Sequence, residues 1–207
     1  MEKTRLAGNK TVQFIKLAVL ILVFPLLVGF CRGLIAQTFA LEDLFWKSLY
    51  WGVASYLLFH IFLIEPVKFY KKTQSSIQIV FGFFMPLLRV AYYIVPFWVL
   101  VLIGVYLVVY KVLKVEDIRF LFFFLSGFLF AMHLVMVAKL LKTDKPGKLI
   151  DYLFILFAVL IINIFFFAAN CKLYEPEFSV SQVGREGIET GVHLARSIYD
   201  QLFVPGS

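Results

Sequence analysis

Charge is scarce in this sequence. Only 16% of its 207 residues are Asp, Glu, Lys or Arg, against 62% hydrophobic, and mean hydropathy is +0.91. Soluble domains carry about 25% charge and roughly 45–50% apolar residues. So few polar side chains cannot cover a water-facing surface, which excludes an ordinary soluble domain, a coiled coil and a disordered chain. Cysteine is scarce too. Cys31 and Cys171 make no framework and no C-x-x-C or C-x-x-C-H occurs, so a disulfide scaffold and covalent haem attachment are excluded. Both cysteines fall toward the outer ends of apolar runs; a disulfide between them is compatible with an oxidising periplasm, and two buried free thiols are the expectation. H-E-x-x-H, G-x-S-x-G, phosphate-binding and dinucleotide-binding loops are missing, as are repeats of 20–50 residues. With three histidines and no carboxylate at histidine depth, neither a catalytic residue nor a metal site is expected. The chain does carry a formal charge of +7. Its basic residues lie between apolar runs, where lipid headgroups and not nucleic acid are the expected neighbours.

The apolar runs have the length of membrane spans. A bilayer core about 30 Å thick needs roughly 20 helical residues. Leu17–Ala36, Ser48–Ile64, Val90–Tyr110, Phe120–Ala138 and Tyr152–Ala169 qualify. Pro25 is expected to kink the first. Ile77–Leu88 is too short to cross and reads as a re-entrant or interfacial piece, since a turn at Val95-Pro96-Phe97 has no polar residue to sit among headgroups. The expected fold class is therefore all-α: a polytopic bundle of five spans plus that short piece. Lys3, Arg5, Lys10 and Lys16, then Lys68, Lys71 and Lys72, then Lys139, Lys142, Lys145 and Lys148 all fall on one side of such a bundle. The positive-inside rule makes that side the cytoplasm of an inner membrane, with the C-terminal end external. The first span reads as an uncleaved anchor, because no small-x-small cleavage site follows it.

Residues 1–171 thus read as a membrane domain and 172–207 as an external linker and helix. In Ser179–Val204, Ile188, Val192, Ala195, Tyr199 and Leu202 recur at three- and four-residue spacing. An amphipathic helix of this kind lies on the membrane surface, folds back on the spans or binds a partner. Gly184, Gly187 and Gly191 weaken its first half.

Polar groups inside spans are the remaining candidates. His60 and His133 each lie four residues past the midpoint of their run, and in a five-span chain those helices run the same way, so the imidazoles share a depth. Packing, a relay, and bis-histidine ligation of a b-type haem are the readings that compete. Ser126, Gly127 and Ala131 form a small-residue patch suited to close helix approach, and Asn163 suits an interhelical hydrogen bond. Pro86 and Pro96 beside Arg89 are compatible with a transporter or lipid-handling protein.

The order Phe45-Trp46, Tyr56-Leu57, Pro66, Met85-Pro86, Val95-Pro96, Ser126-Gly127-Phe128, Ala131-Met132-His133-Leu134 and Asn163 resembles the layout of small M50-type membrane metallopeptidase-like proteins. Where that family carries its zinc motif, this chain reads Tyr70-Lys71-Lys72-Thr73-Gln74-Ser75-Ser76. The resemblance therefore implies a membrane core without its catalytic metal. The expectation is a non-catalytic integral subunit or scaffold without a cofactor, whose partners are lipids and other subunits of a hetero- or homo-oligomer. A haem-b electron-transfer subunit is the alternative.

Overall fold

A computed structural model of the chain describes residues 2–62, 94–111, 113–115, 118–144 and 149–203. The expectations for Ile77–Leu88, Pro86 and Arg89, and the stretch compared with the zinc motif, lie outside them, as does the side chain of Leu202. Among the described residues there are six helices and no strand: α1 (Glu2–Phe39), α2 (Asp43–Phe62), α3 (Phe97–Lys111), α4 (Arg119–Asp144), α5 (Leu149–Tyr174) and α6 (Val180–Phe203). Three are long and apolar enough to cross a bilayer, over Thr11–Phe39, Arg119–Lys142 and Leu149–Tyr174.

Several boundaries differ from those the hydropathy suggests. α1 is one helix continuing through Pro25 and back to Glu2. α3 starts at Phe97, because Pro96 has no N–H and forces the preceding residue out of the helical region. Its carbonyl instead accepts the amides of Val99 and Leu100 at 2.9 and 3.1 Å. That leaves a helix of 15 residues, not the 21-residue run Val90–Tyr110. α5 continues through Tyr174, and the connection to α6 is only 175–179. There Ser179 Oγ accepts the amide of Gln182 at 3.2 Å, capping α6.

The chain forms two compact units that do not follow its order. One joins Met1–Thr38, Leu141–Ala168 and Ser179–Ser207; the other joins Phe39–Leu140 and Ala169–Phe178. The tail helix thus groups with the first and last spans instead of standing apart.

In the first unit α1 and α5 run parallel. Gln13 and Lys16 bond Asp151, the Phe24 ring stacks on Phe157, and Phe30 meets Phe165 edge-on. α6 runs antiparallel to α1, with Val183 beside Gly33, Gly187 beside Gly29 and Phe30, and Gly191 beside Leu26 and Pro25. Glycine is required here. A Cβ on Gly29 would strike the carbonyl oxygen of Gly187, and one on Gly33 would come within 2.8 Å of the carbonyl oxygen of Val183. The two G-x-x-x-G stretches, Gly29–Gly33 and Gly187–Gly191, let the backbones approach as in close membrane helix pairs. This contact outweighs the helix-weakening effect of glycine, about 0.5–1 kcal/mol each, and α6 is helical from Val180 onward.

In the second unit α2 and α4 run parallel. Gly52 packs on the backbone of Phe124 and Gly127 on that of Leu49, with Phe45 stacked on Phe123. α3 lies antiparallel to α4, Tyr106 against Phe122 and Trp98 against the core of Tyr56, Ala131, Met132, Met136 and Leu140.

Candidate functional site

The α2–α4 seam sets the two histidines. Leu49 and Gly52 lie beside Gly127 and Phe124; carried forward, that register puts His60 level with about residue 135, roughly 3 Å along the axis from His133. The shared depth expected from the sequence is therefore close. The directions differ. The stripe of α4 that faces α2 contains Phe124, Phe128 and Lys139, whereas His133 is rotated about 180° from Phe124 at roughly 100° per residue. His133 is buried, on the same side of α4 as Ser126. His60 meets other partners. The Lys139 ammonium donates to its Nε2 at 2.8 Å, which puts the ring proton on Nδ1, 3.4 Å from Tyr56 Oη. The structure does not bring the two imidazoles together, and a shared porphyrin would require one helix to rotate and Lys139 to leave.

What gathers on the other side of α4 is a buried polar chain. Asn170 Nδ2 donates to Ser126 Oγ at 2.8 Å, and Ser126 Oγ donates to Tyr174 Oη at 3.3 Å. All three residues are at most 2% exposed. Just beyond, Arg119 Nη1 donates to Glu175 Oε2 at 3.1 Å while its guanidinium covers the Phe45 ring at 5.1 Å. Tyr106, Tyr110, Arg119, Leu173, Tyr174 and Pro176 line a cavity of about 230 Å³. Ser126 has no base beside it in this chain of contacts, so the group suits holding α4 to the end of α5 better than nucleophilic chemistry.

Of the remaining sequence candidates, Gly127 lies in the α2 seam and Ala131 in the core. Asn163 is buried, with Nδ2 donating to Val159 O of its own helix at 2.9 Å. Both cysteines are free thiols, but only Cys171 is buried as expected; Cys31 is exposed. Among the described residues no group of three His, Cys, Asp or Glu could hold a metal ion.

α6 carries the largest uncovered surface of the sequence candidates. Its seam with α1 uses Val183, Gly187 and Gly191, so the apolar stripe stays outside: Ile188 is 53% exposed, Val192 48%, Tyr199 59% and Phe203 66%. Ala195 is exposed as well. A third face carries Gln182, Arg185, Glu189, His193, Arg196 and Asp200 within about 80° of arc. All of these are exposed except Gln182 and Asp200, which are half-buried.

Comparison with family models, with curated proteins and with solved structures returns no match. The resemblance to the metallopeptidase-like layout thus rests on its own few residues.

Two signals in the sequence mark contacts that hydropathy does not reveal. The paired G-x-x-x-G stretches at residues 29–33 and 187–191 mark the α1–α6 seam. Asn170 and Tyr174, just past the apolar run Tyr152–Ala169, are the partners of Ser126.

Proposed function

We propose that this protein is a non-catalytic integral subunit of a larger membrane assembly, a scaffold that works through its helix surfaces. The observation that carries this reading is α6. It is pinned to the first span by one face and leaves both an apolar and a charged stripe uncovered, an arrangement suited to a partner. Among the described residues the connections at 40–42 and 175–179 are short, which favours lateral contact between helices as its means of action.

Five crossings fit the directions of the helices. Parallel packing of α1 with α5, and of α2 with α4, requires an odd number of crossings between the members of each pair if all four span. One crossing between α2 and α4, and three between α1 and α5, satisfy both conditions. By the positive-inside rule the lysine clusters favour a start of α1 in the cytoplasm of an inner membrane and a start of α6 outside.

The test is the native mass of the tagged chain, extracted from its own membrane in a mild detergent and weighed by native mass spectrometry. The reading expects a stoichiometric species heavier than one 23.9 kDa chain. A lone chain under conditions that keep known complexes intact contradicts it.

A further inference from the structure

We propose that the cavity at the shared end of α3, α4 and α5 holds the zwitterionic headgroup of one phospholipid, with Arg119 and the Tyr106 hydroxyl taking its phosphate. This goes beyond the subunit reading and needs only that α4 and α5 cross the bilayer. A chain without subunit partners would leave it standing.

The helix ends that build the cavity give its depth. Arg119 is the first residue of the apolar stretch Arg119–Lys142, and Tyr174 is the last of Leu149–Tyr174. With both stretches crossing, these two residues stand at the headgroup level of one leaflet. Tyr106 reaches the same level from α3, where its ring meets Phe122 and Tyr174. Tyr174 is fixed in turn by its hydrogen bond with Ser126.

One buried group in this cavity has nothing to bond. Tyr106 is only 4% exposed and lines the cavity. Its hydroxyl has no hydrogen-bond partner among the described residues, whereas a buried tyrosine O–H ordinarily finds one. The ring is held in place, stacked on Tyr110 at 5.5 Å and edge-on to Tyr174 at 4.5 Å. Arg119, on the same cavity, is only partly used. Its guanidinium has five N–H donors. Glu175 Oε2 takes Nη1 at 3.1 Å and Phe45 covers one face; no further acceptor for it lies among the described residues. The volume of about 230 Å³ is several times the roughly 30 Å³ share of one water. A phosphate, rich in acceptor oxygens, satisfies a guanidinium and a phenol together.

Charge and surroundings select the kind of phosphate. Arg119 and Glu175 cancel, and so do Lys172 and Glu177 nearby in the chain. No net positive charge is left for a ligand of net negative charge. A headgroup carrying both signs fits the pair, its phosphate toward Arg119 and its ammonium toward Glu175. That carboxylate stands in the chain between Tyr174 and Pro176, which both line the cavity. Phe120 and Leu121, next after Arg119 on α4, are 41% and 43% exposed. They leave apolar surface toward the bilayer interior for acyl chains, which a free phosphate would not use.

The experiment extracts the full tagged chain in a mild detergent and strips it of lipid. Phosphatidylethanolamine, phosphatidylglycerol or inorganic phosphate is then added back and binding is read by native mass spectrometry. One phosphatidylethanolamine per 23.9 kDa chain is expected, held more tightly than phosphatidylglycerol. Equal or tighter binding of phosphatidylglycerol overturns the zwitterionic headgroup. Displacement of the lipid by inorganic phosphate at equal concentration overturns the lipid as the source of the phosphate. Several lipids bound without preference are an ordinary lipid shell and overturn the site. Arg119→Gln and Tyr106→Phe should each weaken retention by about tenfold. Tyr152→Phe, the same change at the other end of α5, should leave it as in the parent. Because the Tyr106 hydroxyl has no partner in the described chain, lipid-free Tyr106→Phe should melt with the lipid-free parent, which separates loss of ligand from loss of fold. Unchanged retention in Tyr106→Phe, or lower melting without lipid, overturns the proposal.

Discussion

Gly29→Ala is the smallest change that tests the α1–α6 seam. The added methyl would land on the carbonyl oxygen of Gly187 and within 2.8 Å of the amide nitrogen of Gly191. Both are backbone atoms of a helix, so no side chain can rotate away and α6 has to shift bodily. A gap of 0.5–1 Å already forfeits a quarter to a half of each contact's attraction, and overpacking of this kind costs about 1–3 kcal/mol. Gly104→Ala is the matched control: a Cβ there meets nothing within 4 Å. Both substitutions gain the same helix propensity, about 0.5–1 kcal/mol, so their difference isolates the clash. For a chain of this size about 1–3 kcal/mol corresponds to roughly 2–12 °C in melting temperature. Thermal unfolding in one detergent, followed by circular dichroism, measures it. Trypsin cleavage at Arg185 and Arg196 supplies a local readout and should accelerate in Gly29→Ala alone. Equal melting and cleavage of the two variants would refute the close seam.

Other expectations bear on other parts of the fold. Ser126→Ala removes the hydroxyl that accepts from Asn170 and donates to Tyr174, leaving both groups buried without it. A loss of about 1–3 kcal/mol is expected, and a melting temperature unchanged from the parent would contradict the polar chain. Asp43 is held below the ordinary carboxylate range by its hydrogen bond to Lys47, with help from Trp46. Its folded pKa is the lower one, so its contribution is present above about pH 4 and is lost as pH falls further. Because the pair is exposed, the effect is small and screened by salt. Trp46 fluorescence across pH 5 to 2, compared with Asp43→Asn, should show an acid step only in the parent. The orientation of His60 and His133 predicts no Soret band in protein purified from haem-replete cells. A band abolished by His60→Ala or His133→Ala would place a porphyrin between them after all.

The sequence disclosed the helical membrane character, because runs such as Tyr152–Ala169 have no other stable state in or out of lipid. It also disclosed the period of α6, although not which face would pack. Ile188, Val192 and Tyr199 look like the buried stripe when burial is equated with large apolar residues. Against α1 the criterion is closeness of approach, and glycine wins. Depth along a helix could be counted from span midpoints, which brought His60 and His133 nearly level. Rotation could not, because it depends on where Gly52 and Gly127 interlock. Asn170 and Tyr174 were hidden for a related reason: at the end of a hydropathic run a polar residue reads as a boundary, and only the partner on α4 shows it to be interior.

The fold-back of α6 on the first span is the claim from which the subunit reading grows. The most direct test of it is a disulfide. A Cβ on Gly33 would lie 3.4 Å from Cβ of Glu186, near the lower end of the 3.5–4.5 Å typical of disulfides. The double variant Gly33→Cys/Glu186→Cys, with Cys31→Ser, is oxidised mildly in native membranes and mapped by peptide mass spectrometry. An intramolecular bond between residues 33 and 186 is the predicted result. Free thiols at both positions, or bonds formed only between separate chains, would contradict it.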